Sequence, residues 1–223
     1  MKQLLLFAIF LFITFNSYSQ NQLVINGKVD GKTKGIVYLL TWNGEKPVKI
    51  DSAKIRGGEF NFYKSVSLPA VYLMSLAEVK SRLPIFLFPD ETPMKVNLKV
   101  DPVDGKLSDF SLTGGKVQTA YNVHYKVYKS HLDDYLKLNE VYKKAKLENN
   151  VSVMQEQKGK MAIKGKIMSD LESKMIDNNS DNILSLFFIC NKYQKTDQGT
   201  AKTKLAKVSS RLQSSELYKH LSK

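Results

Sequence analysis

The sequence predicts an α+β protein in which an antiparallel β-sandwich of about eight strands precedes an antiparallel helical hairpin and short C-terminal helices, with an open barrel as the alternative to the sandwich. Two observations support this fold class. Residues 22–115 form short segments rich in Val, Ile, Phe and Tyr, separated by Gly, Pro, Asn and Asp. Beyond residue 115, aromatic and apolar residues recur every seventh position, which indicates helical stripes. Strands that are segregated from helices indicate α+β rather than a doubly wound fold.

Eight strands are predicted in the first half because each apolar segment is bounded by a turn signal. Gly57-Gly58 is a strong signal, since a tight hairpin turn needs positive φ angles, which glycine adopts at little cost. In the strand that follows, Phe60 and Phe62 should point to one face and Asn61 to the other. The strands are expected at Leu23–Val29, Ile36–Trp42, Val48–Ile55, Glu59–Val66, Ala70–Ala77, Pro84–Phe88, Lys95–Val100 and Phe110–Thr113.

Two long helices are predicted next. A stripe of tyrosines marks the first helix, expected at Val117–Glu148, and methionines at the same spacing mark the second. Asn149-Asn150 separates the helices and predicts a short turn, so they should form an antiparallel hairpin. We interpret the stripes as the core of the hairpin, with a binding groove for a ligand or partner as the alternative. The stripes comprise Tyr121, Tyr128, Tyr135 and Tyr142, and Met154, Met161, Met168 and Met175.

Shorter segments complete the helical half. Ser180-Asp181 precedes an apolar run and is expected to cap a helix that ends near Tyr193. The polar stretch Gln194–Thr203 is expected to form a loop, and Lys204–Leu221 a last helical piece.

The N-terminus has the features of a secretory signal peptide. Lys2 precedes a short apolar run, Leu4–Phe15, which is followed by small residues at Ser17 and Ser19. The run is shorter than the about 20 residues that a membrane-spanning helix needs, and no later segment is long and apolar enough to span a membrane. The sequence therefore predicts a signal peptide at 1–19, a β-sandwich domain at 20–115 and a helical region at 116–223, exported to the periplasm or cell envelope.

The net charge of +13 comes almost entirely from lysine, since only Arg56, Arg82 and Arg211 are arginines. Nucleic-acid sites depend on arginine for bidentate contacts with phosphate and guanine, so this composition argues against nucleic acid as a partner. The lysines are spread along whole helices, which is typical of a solvated face. Weak attraction to an anionic surface or an acidic partner is the alternative.

Cys190 is the only cysteine, so the chain forms no internal disulfide and has no C-x-x-C motif. It ends the apolar segment Ile183–Cys190, which is typical of a buried thiol of low reactivity. The alternative is an intermolecular disulfide, which makes Cys190 the one candidate redox thiol.

Other groups of polar residues do not form a catalytic, cofactor-binding or metal-binding pattern. His124, His131 and Asp134 share a helix face, but two helical turns separate the histidines by about 10 Å, too far for one ion. We interpret them as polar residues that flank the tyrosine stripe. His220 has no evident side-chain partner in the sequence. Trp42 lies at a strand end, where it either contacts a binding partner or fills the rim of the sandwich.

Five segments occur in a recognisable order: Gly35–Leu39, Asp51–Ala53, Gly58–Phe62, Pro69–Leu73 and Phe86–Pro89. This order resembles the domain of unknown function 4369. In that family the domain lies at the N-terminus of exported bacterial proteins, ahead of a thioredoxin-like (TlpA/AhpC-type) domain that carries C-x-x-C. The resemblance covers residues 22 to about 115 and implies export, the sandwich and a partner-binding role. The sequence has no C-x-x-C, so we expect it to be without the thioredoxin-like domain, and no redox residue carries over.

Three functional hypotheses follow. The first is an exported, non-enzymatic envelope module that needs no cofactor and binds a protein partner or ligand through strand edges, loops or the helical face. The second is an accessory role in thiol–disulfide exchange, either by docking a separate thioredoxin-like protein or through a mixed disulfide at Cys190. The third is a non-functional remnant of a longer enzyme.

Overall fold

The computed structural model describes residues 21–79, 84–90 and 92–223. The predicted signal peptide lies outside these residues. Strands come first, followed by helices, which confirms the α+β fold class. The strands are β1 Asn21–Asp30, β2 Lys34–Trp42, β3 Val48–Arg56, β4 Glu59–Val66, β5 Val71–Leu76, β6 Ile85–Leu87, β7 Met94–Val100 and β8 Leu107–Thr113. The helices are α1 Gly115–Leu147, α2 Val151–Asn178, α3 Ile183–Tyr193, α4 Gln198–Leu205 and α5 Glu216–Leu221, with a 3₁₀ turn at Ser210–Leu212 between the last two.

The eight described strands form one sheet in the order β6-β5-β2-β3-β4-β1-β7-β8. Within the described residues, β3 and β4 pair at one position next to their turn, Arg56 opposite Glu59. The strands therefore form one mixed sheet that is nearly closed into a barrel. One buried core contains side chains from both halves of the strand order, including Leu39 from β2 and Leu98 from β7. The sheet encloses this core, as the open-barrel alternative predicts.

One detail of the predicted sandwich is wrong, because the strands are not all antiparallel. β1 and β7 run parallel, from Ile25 opposite Met94 to Asp30 opposite Lys99. Two parallel neighbours need a long crossover connection, and strands β2 to β6 supply it here. Alternating apolar residues predict which side chains face the core, but they carry no information about strand direction.

The helical hairpin is confirmed, with α1 and α2 packed along each other and joined by a three-residue turn. Asn150 caps α2, since its side chain accepts a hydrogen bond from the Val153 backbone N–H at 3.2 Å. Of the tyrosine stripe only Tyr121 is buried, and of the methionine stripe only Met168. None of the described helices is long and apolar enough to cross a membrane.

The C-terminal segments differ from the prediction in two places. Asn182, rather than Ser180-Asp181, caps α3, because its side chain accepts a hydrogen bond from the Leu184 N–H at 3.1 Å. Part of the predicted loop is helix α4, which Asp197 caps by accepting from the Thr200 N–H at 2.9 Å. The prediction missed α4 because most of its residues are polar, and its buried side chains are only Ala201 and Leu205, one turn apart.

A polar network attaches the start of α1 to the sheet. The Asp90 carboxylate accepts hydrogen bonds from the backbone N–H groups of Lys116 and Val117, at 2.9 and 3.1 Å. Fully buried Gln118 accepts from the Phe88 N–H at 2.9 Å, which satisfies a backbone group that has no strand partner there. These bonds place the first turns of α1 against β6.

Candidate functional site

An aromatic pocket of about 330 Å³ lies where the β6 region of the sheet meets α1, α2 and α3. Helix α1 contributes Tyr121, His124, Tyr125 and Tyr128, whose spacing of three and four residues places them on one helical face. We call this cavity the aromatic pocket. Its other lining residues are Pro84, Phe86, Leu132, Glu172, Phe187, Phe188 and Asn191.

Phe187 of α3 lies at the centre of the rings that form the apolar side of the aromatic pocket. Its ring centroid is 4.7 Å from that of Phe86 and 5.1 Å from that of Phe188, both edge to face. Edge-to-face pairs bring the positive edge of one ring to the negative face of the next, so they fix ring orientation as well as position. The walls of the pocket are therefore held in place before any ligand enters.

Trp42 lies behind the aromatic pocket at the end of β2. Its ring packs edge to face against Phe86 and Phe187, at centroid distances of 6.0 and 5.4 Å. The side chain is half-buried, so much of its surface is used within the chain. Because Trp42 is the only tryptophan and touches two lining residues, its fluorescence should report on the pocket.

Glu172 of α2 supplies the charge in the aromatic pocket. It is the only Asp, Glu, Lys or Arg among the described lining residues, and Tyr128 lines the same cavity. Burial raises the pKa of Glu172, while the charge of Lys192 and the Tyr128 hydrogen bond lower that pKa in part. Lys192 is not a lining residue, since its ammonium donates to the hydroxyls of Ser169 and Ser173 at 2.8 and 2.7 Å.

His124 is buried in the aromatic pocket, with its ring centroid 4.7 Å from that of Phe188, edge to face. His124 therefore flanks the tyrosine stripe as predicted, and the structure shows in addition that it is buried. Its position three residues after Tyr121 could have indicated this burial. Burial lowers the pKa of His124 to about 4, so the imidazole is neutral at pH 7.

The other two members of the histidine–aspartate group lie apart from the aromatic pocket. Asp134 forms an ion pair with Lys164 across the hairpin at 2.7 Å. The Nδ1 atom of His131 is buried and has no hydrogen-bond partner among the described residues. Across the described ranges, no cluster of three or more His, Cys, Asp or Glu side chains is placed to hold a metal ion.

We expect acidification to destabilise the protein partly through His124. The folded pKa lies below the unfolded value of 6.5, so between pH 6.5 and pH 4 the unfolded chain binds a proton that the folded chain does not. His124→Phe should therefore reduce the loss of unfolding free energy between pH 7 and pH 4.5 by about 1–3 kcal/mol. Urea unfolding of both proteins at the two pH values measures this difference, and equal losses would contradict it.

Cys190 belongs to a second polar group, on the opposite side of α3 from the hairpin. The thiol is 5% exposed and donates to the Gln194 side-chain oxygen at 2.7 Å, and burial raises its pKa to about 11. The Gln194 amide in turn donates to the His220 imidazole, whose Nδ1 atom lies 3.5 Å from a Glu45 carboxylate oxygen.

This second group explains His220, for which the sequence showed no partner. The imidazole joins α5 to the β2–β3 turn, where Glu45 lies, and to α3 through Gln194. A cysteine nucleophile is activated by a base in direct hydrogen-bond contact, and here the Gln194 side chain bridges the thiol and the imidazole. The geometry is therefore that of a structural connection between three elements.

The sheet and the start of α1 match a known protein family. Residues 23–121 match the family model DUF4369, a domain of unknown function, so the resemblance that the sequence segments indicated is confirmed. The match begins in β1 and ends at Tyr121, the first α1 residue that lines the aromatic pocket. A comparison with curated proteins finds no match. The similarity to this domain of unknown function therefore covers the strands of the chain and the first turns of α1.

Proposed function

We propose that this chain is an exported, non-enzymatic module of the cell envelope and that it binds a ligand, or a side chain of a protein partner, in the aromatic pocket. The observation that supports the proposal is the pocket itself, with its rigid rings and one carboxylate. Ligand sites are typically concave and mostly apolar, with a few convergent polar groups, and the aromatic pocket has this composition.

The position of the aromatic pocket supports the same proposal. A cavity of about 330 Å³ between a sheet edge and three helices is large enough for a small organic molecule. The network at Asp90 and Gln118 fixes α1 against β6, so the pocket keeps its shape without a ligand.

Binding of a neutral apolar probe tests the proposal. N-phenyl-1-naphthylamine should bind with one site per chain and quench Trp42, because Trp42 packs on two lining residues. Tyr128→Leu removes a lining ring and should weaken binding about tenfold. The matched control is Tyr63→Leu on β4, whose side chain is exposed. Binding that does not saturate, or that both variants weaken equally, would refute the proposal.

Direct thiol exchange through Cys190 receives no support from the geometry. A thiolate is the reactive species, and the thiol pKa of about 11 leaves little thiolate at pH 8. We expect iodoacetamide to alkylate Cys190 at least about 100-fold more slowly in the native protein than in urea at pH 8. Mass spectrometry of timed samples measures both rates. Equal rates would restore Cys190 as a candidate redox thiol.

A further inference from the structure

We infer that the aromatic pocket selects a small organic cation, one that carries an alkylammonium group, over neutral molecules of the same shape. The inference rests on the proposed function, because it names the ligand class of the same site. Three features carry it: the ring faces of α1, the Glu172 carboxylate, and the absence of an opposing positive charge among the described lining residues.

The ring faces supply the first contribution. Tyr121 and Tyr125 lie nearly parallel, with an interplanar angle of 17° and centroids 5.9 Å apart, and Tyr128 follows on the next turn of α1. The face of an aromatic ring is negative, so a cation near it is attracted, and the attraction grows when water is excluded. All three phenol rings line the aromatic pocket, so a cation inside it would lie beside more than one ring.

Glu172 supplies the second contribution. Its carboxylate lies in the wall of the aromatic pocket, where burial weakens its hydration and raises its pKa. Lys192 compensates the carboxylate in part, and a cation bound in the cavity would add a second favourable interaction with it. The negative wall is notable in a chain of net charge +13, in which most surfaces would repel a cation.

The positive charge nearest to Glu172, that of Lys192, lies outside the described lining of the aromatic pocket. Lys192 lies near Glu172, but its ammonium is directed to Ser169 and Ser173 of α2 and does not line the cavity. His124 lines the cavity and is neutral at pH 7, because burial disfavours its charged form. The charged side chain that a ligand meets in the described lining is therefore a carboxylate.

A matched pair of ligands tests the inference. Choline and 3,3-dimethylbutan-1-ol have the same shape and differ by a positive nitrogen in place of carbon. Titrations followed by Trp42 emission at pH 7.5 should show that choline binds at least about tenfold more tightly. Glu172→Gln should remove most of this preference, since it deletes the carboxylate and leaves Lys192 uncompensated. The control Glu156→Gln, on the same helix but exposed and paired with Lys160, should leave the preference unchanged.

The outcomes separate this inference from the proposed function. If the naphthylamine probe binds but choline does not, or if the neutral alcohol binds as tightly as choline, the cation inference is overturned and the pocket proposal stands. A preference for choline that persists in Glu172→Gln also overturns the inference. If neither probe nor choline binds the folded wild-type chain, the proposed function fails with it. Circular dichroism of each variant verifies that the comparison is made between folded proteins.

Discussion

Replacing Phe187 by alanine should lower the free energy of unfolding by about 3–5 kcal/mol. The Phe187 side chain is 4% exposed, and truncation to alanine would remove its buried ring and leave a cavity that rigid neighbours cannot fill. The lost contacts lie where the sheet meets the helices, so the substitution should weaken the packing of the helices on the sheet. Rings that contact Phe187 are those of Trp42, Phe86, Phe88, Tyr121 and Phe188.

Urea unfolding followed by Trp42 fluorescence measures this loss. Tyr63→Ala is the control, because it also deletes an aromatic ring but from a side chain that is 66% exposed, and it should change stability by no more than about 0.5 kcal/mol. A loss below about 1 kcal/mol in Phe187→Ala would mean that the junction repacks, contrary to the rigid ring arrangement described above.

Gly31→Ala should be the second most damaging change, with a loss of about 2–4 kcal/mol. Gly31 follows β1 at a φ of +85°, where residues with a side chain are strained. A Cβ atom there would lie 2.2 Å from the backbone carbonyl oxygen of Val100, the last residue of β7. Because that oxygen belongs to the main chain, relief requires the ends of two neighbouring strands to move apart.

Gly57→Ala provides the matched control for Gly31→Ala. Gly57 also has a positive φ, +61°, but a Cβ atom there would meet nothing within 4 Å. Gly57→Ala should therefore cost only the backbone strain, about 1 kcal/mol. Thermal unfolding of both variants separates strain from steric contact. Equal melting temperatures for Gly31→Ala and Gly57→Ala would mean that the contact with Val100 does not contribute to the loss of stability.

Much of the fold could be predicted from local patterns. The eight strands and the hairpin follow from the periods of apolar residues and from turn signals such as Gly57-Gly58, because those patterns depend on near neighbours in the sequence. The parallel pairing of β1 with β7 could not be predicted in this way. It depends on the path of the chain between the two strands, and the sequence of neither strand indicates its partner or its direction.

The aromatic pocket was harder to predict than the fold. The seven-residue spacing predicts that Tyr121 and Tyr128 lie in the core of the hairpin, whereas at this end of α1 they line the cavity. Phe86 and Glu172 come from elements far apart in the sequence, and only the packing of α2 and β6 on α1 brings them together. Glu172 resembles any other acidic residue on a helix that is rich in charge, so no local signal distinguishes it.

The position of β1 between β4 and β7 has a consequence for how quickly the molecule assembles. β1 is the first strand of the sheet in the chain, yet its two neighbours end at residues 66 and 100. Pairings between distant residues carry a large loop-closure entropy and slow the search for the native topology. One edge of β1 therefore stays unpaired during folding until β7 is available. Until then, this exposed edge can pair with another chain and lead to aggregation.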